Sequence, residues 1–151
     1  MNYWLIKSEP SVYSLENLKT EKQAIWDGVR NYQARNYLRQ MQIDDFAFFY
    51  HSNTKVPGIV GLAQVKEAAI ADPTQFDPDS PYYDSKSTKD SPRWQTVIVE
   101  FVENFPHLIS LTTLKQDFTA EELILVKKGN RLSVMPISSE VAQRILKLAK
   151  P

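Results

Sequence analysis

The chain has 151 residues, 42% of them hydrophobic and 24% charged, with 18 Lys and Arg against 18 Asp and Glu and no cysteine. That size and mix predict one globular domain over residues 1–151, and the lack of Cys excludes a disulfide framework, thiolate metal sites and a thiol nucleophile. A net charge of zero argues against gripping long nucleic acid mainly by backbone charge, although Arg30, Arg35, Arg39, Lys55 and Lys66 form one basic run, and Lys127, Lys128 and Arg131 another.

Tyr3–Lys7 is aromatic and branched, which predicts a first strand, and Pro10 ends it by forcing Glu9 out of the helical region. Ser14 can cap a short helix over Leu15–Lys19. Ala24–Trp26 is a short extended piece, and Asp27-Gly28 is a turn signal that could leave Trp26 at the rim of a sheet. From Asn31 the pattern is helical, with Ala34, Tyr37, Leu38 and Met41 inward and Arg35 and Arg39 on the opposite face. Ile43–Asp45 is an exit turn, Phe46–His51 a buried strand, and Ser52–Gly58 a polar loop. Ile59–Val65 returns as the partner strand, where Gly61 predicts a bulge or a close backbone approach.

Residues 72–92 have four X-Pro steps and no periodicity, yet Phe76, Tyr82 and Tyr83 lie among them. Disordered linkers lack such aromatics, so an ordered excursion is expected, and loops of that length tend to be functional. Trp94–Val102 reads as a strand, Ser110–Lys115 and Ala120–Leu123 as short helices, and Gly129-Asn130 as a turn. Arg131–Ile137 would be extended with Arg131, Ser133 and Met135 on one side. Ser138 caps a last helix with Val141, Ile145, Leu146 and Ala149 inward. Strands separated by helices of uneven length, with one hairpin, predict an α+β fold: a mixed, strongly curved sheet with peripheral helices.

Signatures of catalysis are sparse. The only histidines, His51 and His107, are far apart, and His107 after Pro106 suggests a surface turn. No G-x-S-x-G is present, and 4 glycines supply no phosphate-binding loop. Asp44-Asp45 reads as turn chemistry. No cofactor and no metal are expected. No apolar run approaches a membrane span and no leader pattern opens the chain, so a cytoplasmic protein without a membrane partner is expected.

The residues more readily suggest binding. Trp26 is followed by polar groups, Ser8 and Glu9 end the first strand, His51, Ser52 and Asn53 end another, and Arg131 and Ser133 begin the last. If these ends converge, they form an aromatic platform ringed by hydroxyls, an amide, an imidazole and a guanidinium. A nucleobase extruded from its stack needs such a flat surface with polar groups for its edge.

Tyr3–Pro10, Trp26–Asn36, Phe49–Asn53, Pro57–Gly61, Ser80–Asp84, Pro92–Trp94 and Gly129–Val134 together resemble the EVE domain, in order and over essentially the whole chain. The resemblance implies a PUA-like pseudo-barrel akin to the YTH domain, and a non-enzymatic monomeric reader of a modified base, chiefly a modified cytosine in DNA, acting beside other DNA-processing proteins. It implies a pocket of Trp26, Ser8, Glu9, Asp27, His51, Ser52, Asn53, Arg131 and Ser133, with Lys7, Arg30, Asn31, Arg35 and Tyr83 at the phosphates or rim. The family usually has Gly-Asp where this chain has Asp44-Asp45. The alternatives are a hydrolase or base-processing enzyme on modified nucleosides, a reader of modified RNA, and a protein-interaction module using the Tyr82-Tyr83 loop.

Overall fold

A computed structural model describes residues 1–151. Six strands form one sheet: β1 Tyr3–Ser8, β2 Gln23–Ile25, β3 Phe46–His51, β4 Gly58–Ala71, β5 Gln95–Ser110 and β6 Val134–Ile137. The spatial order is β2-β5-β4-β3-β1-β6. β1 and β3 run parallel, and every other pair is antiparallel. Helices α1 Leu15–Glu21, α2 Tyr32–Gln40, α3 Leu111–Asp117 and α4 Ser139–Ala149 lie around the sheet. β2 and β6 do not pair, so the sheet curls without closing. Helix α2 touches β6 at one edge and β5 near the other, which spans the gap. The core is one cluster of 33 buried residues, including Leu5, Phe48, Phe49, Val99, Leu38 and Ile145.

Local chemistry explains most boundaries. Ser14 and Asn17 form a reciprocal capping box on α1. Asn31 caps α2 by accepting the Ala34 N–H at 2.9 Å, and Ser138 caps α4 by accepting that of Val141 at 3.2 Å. Asp44 has φ of 76°, the left-handed turn that glycine would otherwise supply. Asp45 is a structural carboxylate, 1% exposed, that accepts from the Asn2 and Gln42 amides and the Trp4 indole N–H. At Gly61 the strand register shifts, and a Cβ there would lie 2.4 Å from the Glu103 carbonyl oxygen.

Four expectations are corrected. β4 and β5 run on to Ala71 and Ser110, because the end of β4 pairs with Thr96 and Gln95 and its start still finds partners at Asn104 and Ile109 beyond the bulges. His107 therefore lies inside β5, and Pro106 is tolerated where residue-to-residue pairing is interrupted. Ala120–Leu123 is a single turn held by Thr119 and Glu122, not a helix, since Leu123 turns extended (φ −139°) to bury its side chain. Finally, β6 is only Val134–Ile137, so Arg131 and Ser133 precede the strand.

Residues 72–92 are ordered as expected. Asp72 caps a 3-10 turn over Pro73–Phe76, and the fully buried Gln75 donates to the carbonyls of Asp72 and Trp94. The Trp94 indole N–H donates to Asp84 at 2.8 Å. These bonds fold the excursion back on itself and onto the start of β5.

Candidate functional site

The curl brings the C-terminal ends of β1 and β2, which lie far apart in strand order, to one opening with the approach to β6. Between them lies a cavity of about 670 Å³, within the range of ligand pockets. Its wall holds Lys7, Ser8 and Glu9 from β1 and the turn after it, Ile25 to Asn31 from the β2 end, Tyr13 before α1, Tyr82 from the excursion, and Ser133.

Trp26 is held on both sides of its backbone. Its N–H donates to the Val97 carbonyl at 2.9 Å, and its carbonyl accepts from the buried Thr96 hydroxyl. The indole packs edge-on against Phe49 at 5.4 Å and Tyr13 at 6.3 Å between ring centroids, each near 85° or 84° in plane. Only 7% of the residue is exposed. The rim position expected for it is thus corrected: Trp26 is at once part of the core and a wall of the cavity. Its indole N–H has no partner in the protein and is not sealed off, so it is available to an occupant.

The next residues form a braced wall. Gly28 has φ of +82°, and a Cβ on it would come within 2.7 Å of the Tyr82 ring, so both conformation and space require glycine. Its N–H donates to Asp72 Oδ2 at 2.8 Å. Arg30 uses all five guanidinium N–H donors within the protein, on Tyr82 O twice, Val29 O, Asp72 Oδ2 and Thr74 Oγ1. Its guanidinium carbon lies 4.9 Å from the Trp94 ring centroid and 5.7 Å from that of Tyr82. Arg30 therefore ties the excursion to the cavity wall and has no N–H left for a phosphate.

The remaining polar groups divide into donors and acceptors. The Tyr13 hydroxyl is buried without a hydrogen-bond partner, and burial, followed by the Glu21 and Asp27 carboxylates, pushes its pKa up. Asp27 is also pushed up, first by burial and then by the charge of Asp72, with Arg30 opposing. Lys7 is shifted down by burial, its ammonium 5.9 Å from the Tyr50 ring centroid. The Ser8 hydroxyl donates to the Tyr13 carbonyl at 2.6 Å and keeps its lone pairs free to accept. No group of three or more His, Cys, Asp or Glu is arranged to hold a metal ion.

The EVE domain family model matches residues 2–148. The chain belongs to the EVE domain family. It is 44% identical to mouse thymocyte nuclear protein 1 over 165 aligned residues, covering 97% of this chain and 73% of that protein. A crystal structure of human THYN1 protein in complex with 5-methylcytosine-containing DNA matches at 39% identity and a TM-score of 0.92, covering 100% of this chain and 99% of that one. The YTH domain of Zygosaccharomyces rouxii MRB1 matches at 16% identity and a TM-score of 0.57, covering 99% and 87%, which shows a shared fold.

This EVE domain gathers Lys7, Ser8, Glu9, Trp26, Asp27, Arg30, Asn31 and Ser133 around the cavity. The other expected site residues stand elsewhere. His51 Nε2 accepts the Leu15 N–H at 3.1 Å, pinning the start of α1, and burial lowers its pKa. Asn53 sits behind the wall and donates to Glu9, while the Ser52 amide donates to the Ser8 carbonyl at 3.0 Å. Arg35 donates to the Arg93 carbonyl at 2.8 Å and lies 4.8 Å from the Tyr32 ring centroid. Tyr83 is 45% exposed and outside the lining; its neighbour Tyr82 faces in. Arg131 lines a second, adjoining cavity. Tyr13, Glu21, Gly28 and Tyr82 were not anticipated as lining. The exclusive use of one of two adjacent tyrosines is a matter of loop geometry, whereas Asp27-Gly28 is a turn signal legible in the sequence.

Proposed function

We propose that this protein is a non-enzymatic reader that takes a modified nucleobase, foremost a modified cytosine in DNA, out of the stack and into the cavity of Trp26, Tyr13 and Tyr82. The observation that carries this is a cavity at the strand ends that combines aromatic walls with unused donors and acceptors. It gains support from the likeness, over the full chain, to a protein solved with 5-methylcytosine-containing DNA. In this assignment the base lies against Trp26. The Asp27 carboxylate, which accepts from no other residue, takes the exocyclic amine of the base, as acidic side chains accept from cytosine N4. The Trp26 N–H donates to the ring acceptors, the Tyr13 ring closes the wall, and Ser8 and Ser133 read the substituent side. Arg30 and Asn53 hold the walls.

Turnover is not part of the assignment. His51, the natural general base, is engaged by α1 and lies outside the cavity, and Glu9 is engaged by Asn53. We place the protein inside the cell as a monomer, where nucleic acid is its partner, and no helix is long and apolar enough to cross a membrane.

The test compares Trp26→Ala and the milder Trp26→Phe on DNA and RNA strands with and without modified cytosine. Stacking on an aromatic is worth about 1–3 kcal/mol per base, so Trp26→Ala should reduce affinity for the modified strand about 5- to 150-fold. Trp26→Phe, which keeps the core filled, should reduce it less, and neither should change binding to unmodified strands. Equal loss on both kinds of strand, or discrimination intact in a folded Trp26→Ala, would overturn the pocket. Preference for modified RNA would reassign the strand class, and product release from a modified nucleoside would reinstate an enzyme.

A further inference from the structure

Beside the base cavity lies a second depression of about 570 Å³, entered across Asn31, which lines both. Its floor is the turn Lys127–Arg131, with Gln33 of α2 opposite. Lys127, Lys128 and Arg131 are exposed, and none forms an ion pair or a side-chain hydrogen bond in the protein, whereas seven of the chain's other cations do so at Arg30, Arg35, Arg39, Lys66, Arg93, Arg144 and Lys150. Glu121 is the single acid in the lining.

The backbone of this turn is equally unspent. The amide of Lys127 donates to Ile124 O and that of Asn130 to Lys127 O, but the amides of Lys128, Gly129 and Arg131 bond to nothing in the fold. Gly129 has φ of +78°, and a Cβ there would meet no atom within 4 Å, so the backbone is open to close approach. Asn130 Oδ1 accepts the Leu132 N–H at 3.1 Å, which fixes the amide's orientation and leaves its buried Nδ2 without a partner. Cations, free amides and an orphaned donor all belong to residues that line one depression, in which Glu121 is the one carboxylate. Fixed donors around a concave basic site are the chemistry that binds a phosphate.

The geometry points to this depression as an anion site for the phosphodiester backbone flanking the extruded nucleotide, with Lys127, Lys128 and Arg131 as its cations and the Gly129 turn as its cradle. It rests on the base-reading assignment for its position next to the base cavity, and it divides the labour: the first cavity selects the base, the second holds the strand in register. It also replaces Arg30, whose donors are consumed inside the fold, as the source of phosphate contacts.

The salt dependence of binding is the readout. Each phosphate neutralised in a duplex contributes about 0.9 to the slope of log K against log salt, and about 0.7 in a single strand. Lys127→Ala with Lys128→Ala should make the slope shallower by about 1.8 on duplex or about 1.4 on a single strand, and leave the ratio of modified to unmodified affinity unchanged. Lys115→Ala with Lys147→Ala, exposed and remote from both linings, should leave the slope as it was. A slope unchanged by the Lys127 and Lys128 pair, or lowered equally by the control pair, would overturn the site. The measurement on unmodified duplex decides this even if the wild-type protein shows no preference for a modified base, so the two assignments fail separately. Amide shifts of Lys128, Gly129 and Arg131 with inorganic phosphate, together with an unchanged slope, would assign the depression to a free anion and overturn the strand-backbone assignment.

Discussion

Asp72→Ala tests whether the cavity wall is held by the excursion in the way the hydrogen bonds imply. Asp72 is 1% exposed. One carboxylate oxygen accepts from Gly28 N–H at 2.8 Å and pairs with Arg30 at 3.1 Å, and the other accepts from the Thr74 amide and hydroxyl. Removing one partner of a buried ion pair costs about 3–5 kcal/mol, because the other charge stays in place without compensation. Here the Arg30 side chain is 22% exposed and keeps its carbonyl and hydroxyl acceptors, which favours the lower end of that range. The orphaned Gly28 N–H pushes the other way, since an unsatisfied buried donor costs about 1–3 kcal/mol. We expect about 3–4 kcal/mol, which for a urea slope of about 2 kcal/mol/M lowers the unfolding midpoint by roughly 1.5–2 M. The companion Arg30→Ala, Asp72→Ala double variant should lose less than the sum of the single losses, as residues in one network do. With the Asp72 charge gone, the Asp27 pKa should fall in an NMR titration yet stay raised, because burial is its larger cause. A midpoint shift below about 0.5 M, or strictly additive losses, would refute the bracing role.

Two further outcomes follow from single side chains. Gly28→Ala should cost about 1–2 kcal/mol from its positive φ and more from the clash with Tyr82, whereas Gly129→Ala, with open space around it, should show the φ cost alone; equal losses in chemical denaturation would contradict the close packing at Tyr82. His51 has a folded pKa below its unfolded value, so the unfolded state takes up a proton first and stability falls as pH drops below about 6.5, levelling off below the folded pKa. His51→Gln keeps an acceptor for Leu15 and should remove that part of the acid sensitivity in urea midpoints between pH 7.5 and 5.5; an unaltered pH profile would show that the pinning of α1 has no titratable component.

What could be read from the sequence was set by how local the determining chemistry is. The caps at Ser14 and Ser138, the bulge at Gly61 and the turn at Asp44-Asp45 each depend on a few neighbouring residues, and each is found where expected. The far ends of β4 and β5 depend on pairing between residues distant in the chain, Ala71 with Gln95 and Gly58 with Ser110, which periodicity does not report, and Pro106 argued for a stop that the interrupted register makes unnecessary. The cavity divides in the same way. Residues at the ends of β1 and β2 were legible because strand ends expose polar groups, but which ends meet is decided by the curl of the sheet. His51 ends β3 as Ser8 ends β1, in register beside it, yet His51 bonds to the Leu15 amide and stands outside the cavity. The resemblance to the EVE domain supplied the convergence that periodicity lacked, but not the roles of individual side chains: Arg30 in sequence is an unattached cation, and only the fold reveals that its five donors are spent.

The burial of Trp26 then bears on how such a cavity could discriminate weakly differing bases. A platform on a mobile loop must be ordered when the ligand arrives, at about 0.5–1.5 kcal/mol for each immobilised side chain. Trp26 is ordered already: its backbone is bonded to β5 through both N–H and C=O, its ring is wedged between Phe49 and Tyr13, and Gly28 beyond it is fixed by Asp72. Folding, not binding, bears the entropy cost. The neutral chain contributes little general attraction to phosphates, so under the proposed assignment unmodified strands gain only what the Lys127–Arg131 turn supplies. Under those two conditions a small substituent on the base changes a binding energy that neither reorganisation nor bulk charge attraction obscures. A mobile Trp26 or a large basic excess would each weaken that discrimination; in this chain Trp26 is bonded and packed in place, and the net charge is zero.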